Sequence, residues 1–209
     1  MKTNDHIRTL FSRNHETIFP KLGVFLAGPT SPSGSMINDW RRKVIDELLE
    51  DEELNSSMVV VAPEPITGEW SEIDIENPET ELERVQNQQM LWEIQYLKLC
   101  DVTAFWLPTY WTKETSENFS PNIGPTSRWE FGYFLQEYLK DKENRTFIIG
   151  SPEDAEGLQW AKRMTAMHGI EWHILKKEDK QQLVASSFIN EIKETLIRNK
   201  WPYHYPVSS

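Results

Sequence analysis

Cysteine is almost missing from this chain: Cys100 is the only one in 209 residues. That excludes a disulfide framework and a thiolate-rich metal site. Its place between Leu99 and Asp101 reads as a small buried hydrophobe rather than a nucleophile. No apolar run approaches the ~18 residues that a bilayer span requires, and the first residues carry no apolar leader segment. An intracellular, cytoplasmic protein with no membrane partner is therefore expected. Basic residues are outnumbered, 22 Lys and Arg against 33 Asp and Glu, which gives a formal net charge of −11. The field of such a surface repels a nucleic-acid backbone, so no polymeric nucleic acid is expected as a partner. A small phosphorylated ligand held by a local nest of donors stays open. The glycine patterns of nucleotide loops are absent too: there is neither a P-loop lysine nor a G-x-G-x-x-G. No cofactor and no metal are expected.

What is present is an alternation of short apolar runs and helical patterns. Gly23 to Ala27, Met58 to Ala62, Val102 to Leu107, Thr146 to Ile149 and Glu171 to Leu175 read as strands, the first three nearly continuous as in strands buried on both faces. Helical spacing links Ile37, Trp40, Val44 and Leu48, then runs from Thr80 to Leu99, from Phe131 onward, from Leu158 to Met164, and from Asp179 to Arg198. The pattern implies one α/β domain over residues 1–209, a doubly wound, flavodoxin-like parallel sheet of five strands in the order 2-1-3-4-5, with helices on both faces. Residues 1–21 read as a lead-in with one short helix before Pro20, and residues 199–209 as an irregular tail broken by Pro202 and Pro206.

In such sheets ligands bind beyond the carboxyl ends of the strands at the switch point, here between the first and third strands. Two loops meet there. Gly28 to Ser35, G-P-T-S-P-S-G-S, offers hydroxyls and backbone donors and reads either as an anion-holding loop or as a turn. Thr109 to Pro125 is long enough to be a functional lid. The stretch after it, T-S-R-W-E-F-G-Y-F from Thr126 to Phe134, reads as a helix start with Thr126 or Ser127 as cap. Glu130 then falls in the first turn, where the helix dipole favours an ionised carboxylate. Two roles stay open for it, the glutamate of a Ser127-x-x-Glu130 capping box and a nucleophile. Glu93 lies beside the apolar stripe of its helix, a position for a charge that is paired or functional. Arg41 and Arg42 flank Trp40 and read first as solvated surface.

The motifs F-L-A-G-P at Phe25–Pro29, W-E at Trp92–Glu93 with C-D-V beginning eight residues later, and W-E-F-G-Y at Trp129–Tyr133 appear in this order. Together they resemble the nucleoside 2-deoxyribosyltransferase superfamily, which includes the deoxynucleoside-monophosphate N-glycosidases. The resemblance runs from about Gly23 to Gly150. It implies that Glu130, followed by Gly132, is the nucleophile that attacks C1′ of the sugar. It also implies that Glu93, at a position often Asp or Asn, handles the base or its proton. By helix rise alone, Glu93 should sit roughly 10 Å below the strand tops. Gly28, Pro29 and Thr30 would shape the sugar site, with Ser127, Arg128 and Arg41 near the 5′ end. Phe25 stands where relatives commonly have tyrosine, and the acid that often precedes the nucleophile is missing from N-I-G-P-T-S-R. Base recognition would then fall to Trp106, Trp129 or the aromatic insertion.

The implied activity is N-glycosyl transfer or hydrolysis on a (deoxy)nucleoside or its 5′-monophosphate. A non-catalytic nucleotide-binding module and a glycohydrolase of a larger nucleotide such as NAD are the alternatives. Family members are often oligomers, so a homo-oligomer is implied. The tail bearing Trp201, Tyr203 and Tyr205 reads equally as packing on its own domain.

Overall fold

The computed structural model describes residues 7–11, 22–29, 40–51, 54, 58–64, 78–108 and 125–199. Thr30 and the loop to Ser35, Ile37, Trp70, residues 109–124 and the tail from Lys200 lie outside the described residues, as does the side chain of Arg128. In chain order the elements are β1 (Ile7–Phe11), β2 (Leu22–Ala27), α1 (Trp40–Leu49), β3 (Met58–Ala62), α2 (Pro78–Leu99) and β4 (Val102–Trp106). They continue with α3 (Pro125–Lys140), β5 (Thr146–Pro152), α4 (Gln159–Met167), β6 (Trp172–Leu175) and α5 (Ser186–Arg198).

The six strands are all parallel, in the order β1-β3-β2-β4-β5-β6. Without β1 this is the expected 2-1-3-4-5 arrangement, with its reversal between β2 and β4. Every residue of β2, β3 and β4 is buried, because helices cover both faces and alternate side chains enter opposite layers. Val24 and Leu26 of β2, Val60 of β3 and Ala104 and Trp106 of β4 point toward α1 and α5, where Trp40, Val44, Leu48, Phe188 and Ile192 receive them. Phe25 and Ala27, Val59 and Val61, and Phe105 point the other way, toward Trp92 and Tyr96 of α2 and Phe131, Phe134 and Leu135 of α3. Cys100 is buried in this second layer, and loss of solvation raises its thiol pKa well above the ordinary value. Asp101 stitches the lower edge: its Oδ2 and backbone N–H engage the N–H and C=O of Gly23, each at 3.0 Å.

Two expectations are corrected. The lead-in contains a sixth strand, with β1 paired to β3 from Ile7↔Met58 to Phe11↔Ala62. Its pairing partner lies some fifty residues away, and a five-residue segment carrying Arg8 has no local signature of its own. The Asp179–Arg198 helix is interrupted: a 3-10 turn at Lys177–Gln182 ends where Leu183 takes φ 63°, and Ala185 is extended before α5 begins. Spacing of apolar residues does not register one residue with left-handed backbone. Among the described residues, no helix is long and apolar enough to cross a membrane.

Candidate active site: a glutamate pair at the switch point

The reversal of strand order separates the chain paths above β2 and β4. Gly28, directly after β2, has φ 144°, and a Cβ there would lie 2.1 Å from the carbonyl oxygen of Trp106. Only glycine lets the two strand ends approach this closely. Pro29 follows, half-buried.

Helix α3 starts one step earlier than the sequence suggests. Pro125 is its first residue, a position where the missing N–H costs nothing and a fixed φ is already helical. Thr126 and Ser127 therefore lie inside the helix rather than capping it, and its first turn holds no acidic residue. Glu130 is the sixth residue, past the free backbone donors, so the Ser127–Glu130 capping box is not formed. Ser127 is itself buried.

Two carboxyl groups meet between α2 and α3. Glu93 lies six residues before the foot of α2, ~9 Å up, and Glu130 five residues below the head of α3, ~7.5 Å down. The sum is close to the ~16 Å length of the five-residue β4 that joins the two layers. The helices lie side by side on the same sheet face, and the carboxyls of Glu93 and Glu130 reach hydrogen-bonding contact. Glu93 is thus level with Glu130, and the depth expected for it is no obstacle.

The environment reverses the expected charge state of Glu130. Loss of solvation raises its pKa most, followed by the charge of Glu93 and the hydrogen bond with it, with Arg41 opposing; the result is about 9. Two carboxyls in contact cannot both ionise cheaply, so the pair holds one proton near neutral pH. On the other side of Glu93, the Gln89 side-chain amide donates to its Oε1 at 2.7 Å. Gln89 is buried one turn earlier on α2. Its signal in the sequence as a site residue is the i, i+4 spacing from Glu93.

Arg41 is not solvated surface. It is 1% exposed, donating from Nε to the Leu26 carbonyl at 2.9 Å, from Nη2 to the Gly28 carbonyl, and from Nη1 to Glu64 Oε2 at 3.3 Å. Arg42 Nε lies 3.4 Å from Glu64 Oε1, with its guanidinium over the Phe11 ring. Glu64, just beyond β3, anchors both arginines. Arg41 thus holds the strand end beneath the site.

The aromatic candidates separate. Trp106 is fully buried on the α5 side of the sheet, its ring 5.1 Å from that of Phe188, so it offers no open face to a base. Phe25 is buried in the same layer as the glutamates, 6.4 Å from Trp92. Trp129 is 51% exposed and stacked on Tyr133 at 5.2 Å, beside Glu130 in sequence.

The fold places the protein in the class of doubly wound parallel α/β proteins, and the two carboxyl groups in contact on one face of its sheet are the candidate site. Residues 21–141, more than half of the chain, match the family model described as nucleoside 2-deoxyribosyltransferase like, and the chain belongs to that family. A role in nucleoside glycosyl transfer, in the general sense, comes with this membership. No curated protein matches the chain significantly. The matched segment spans β2 to α3 and contains both Glu93 and Glu130.

Proposed function

We propose that this protein cleaves the N-glycosidic bond of a (deoxy)nucleoside or its 5′-monophosphate, with Glu130 as nucleophile and Glu93 as the group that handles the proton of the leaving base. The contact between the two carboxyls at the switch point is the observation that carries this reading. Retaining glycosyl transfer needs one carboxylate to trap an oxocarbenium-like centre and a second group to protonate what leaves. A nucleobase departs more readily once a ring nitrogen is protonated. The glycosyl-enzyme ester would then be resolved by water or by a second base. Gly28, Pro29 and Thr30 would border the sugar, Ser127 and Arg128 the 5′ end, and the partly exposed Trp129 a base.

Glu130→Gln tests the reading. It preserves shape but removes the negative charge of the attacking carboxylate, and base release from a nucleoside and nucleotide panel, followed by chromatography, should fall at least about a thousandfold. Ligand binding should persist. A slow 2-fluoro analogue should leave a covalent adduct on the wild-type peptide that contains Glu130. The neutral resting state of Glu130 favours a second reading, a nucleotide-binding module without turnover. Near-normal base release by folded Glu130→Gln would rule out Glu130 as nucleophile, and no release by wild type on any member of the panel would leave the binding module.

A further inference from the structure

The pair at the switch point holds one proton, and the two carboxyls are not equivalent. Glu93 faces Gln89 on α2, whose side-chain amide N–H points at Oε1 from 2.7 Å. A carboxylate accepts such a bond better than a carboxylic acid does, because the charged form is the stronger acceptor. Among the described side chains of α3 none donates to Glu130, which lies beyond the first turn, where backbone N–H groups are already engaged. Among the described residues, the charged groups that bear on Glu130 are Glu93 from α2 and Arg41 from α1. Arg41 is spent on Glu64 and the carbonyls of Leu26 and Gly28.

We infer that Gln89 is a positioning residue that fixes the negative charge of the pair on Glu93 and leaves the proton on Glu130, so that the resting site stores the proton a departing base will take. The storage half stands on the Gln89–Glu93 bond, the Glu93–Glu130 contact and the raised pKa of Glu130 together; its use in catalysis rests on the base-releasing function proposed above. On that reading the proton count closes. The Glu130 O–H passes its proton to Glu93, and the charge moves to Glu130. The Glu130 carboxylate then forms the C1′–O bond while the C1′–N bond breaks, its electron pair going to the base nitrogen, which takes the proton from Glu93. Glu93 is left as carboxylate beside a neutral ester. Water attacking C1′ gives one proton to Glu93 and keeps the other in the sugar hydroxyl, and Glu130 leaves as carboxylate. Transfer from Glu93 back to Glu130 restores the start. The pair carries one negative charge throughout.

The test is carbon-13 NMR of glutamate side-chain carboxyls in the ligand-free full chain between about pH 5 and about pH 10, with Glu130 assigned by its disappearance in Glu130→Gln. Wild type should show Glu130 titrating well above the ordinary carboxylate range. Gln89→Met keeps bulk and removes the donor, while Gln89→Asn keeps an amide but shortens its reach. In each, the Glu130 midpoint should fall by about one to two pH units, the scale of one hydrogen bond to a charged group. The alkaline limb of kcat/KM for base release reports loss of the last proton from the pair as a whole, so it should hold or rise slightly while the Glu130 midpoint falls, with KM little changed. An unmoved Glu130 midpoint in both folded variants, or a wild-type Glu130 that titrates in the ordinary range, overturns the inference. Loss of the proposed activity leaves the NMR result intact, so the two ideas fail separately.

Discussion

Glu130 is a site of linkage between folding and pH as well as a candidate nucleophile. Its pKa is raised from 4.5 to about 9, chiefly by burial and then by Glu93, so the folded chain holds a proton that the unfolded chain releases above pH 4.5. The sign follows: this contribution to stability is complete below about 4.5 and is lost as pH rises toward about 9. Urea midpoints of the wild type should decline across that window, by at most about 1.4 kcal/mol per pH unit for one proton. Glutamine imitates the neutral acid and has nothing to release. Glu130→Gln should flatten the slope and be more stable than wild type at the alkaline end. A wild-type profile as flat as that of the variant would show that Glu130 folds ionised.

At the scale of elements, α1 is fastened to the sheet by charge as well as by Trp40, Val44 and Leu48. Arg41 joins it to the ends of β2 and β3 through Leu26, Gly28 and Glu64. Removing one member of a buried pair leaves the other uncompensated, at about 3–5 kcal/mol. Glu64→Gln should therefore cost several kcal/mol in urea unfolding, and Arg42→Ala much less, since Arg42 is partly exposed. Equal, small losses would reduce the Arg41–Glu64 contact to a surface pair. The sequence made the central strands and their order legible because β2, β3 and β4 are apolar on both faces. It hid β1, whose existence depends on the distant edge of β3, and the break at Leu183. The glutamate pair was half legible: each residue could be singled out, but their meeting depends on α2 and α3 sharing one face of the sheet, which no local pattern records. The burial of Arg41 was not legible, because its partner Glu64 comes from another strand end.

For the whole molecule, the segment that carries the family match is not a complete core. Residues 21–141 hold both glutamates, yet β5, β6, α4 and α5 lie beyond them. Phe105 stacks on Phe147 at 5.3 Å, Trp106 lies against Phe188, and the Leu107 N–H donates to the Gly150 carbonyl at 2.9 Å. Cut at 141, the chain would expose the β4 edge and much of both layers. That fragment should show no cooperative thermal transition by circular dichroism; a sharp melt would prove it an independent domain. The burial of Cys100 has an experimental consequence. A thiol reagent has one target per chain, sealed where α2 turns into β4. The rate at which one equivalent of label is taken up in native buffer thus counts openings of that junction, and its dependence on dilute denaturant separates local fraying from complete unfolding. The lone thiol is a clock for the helix that carries Glu93.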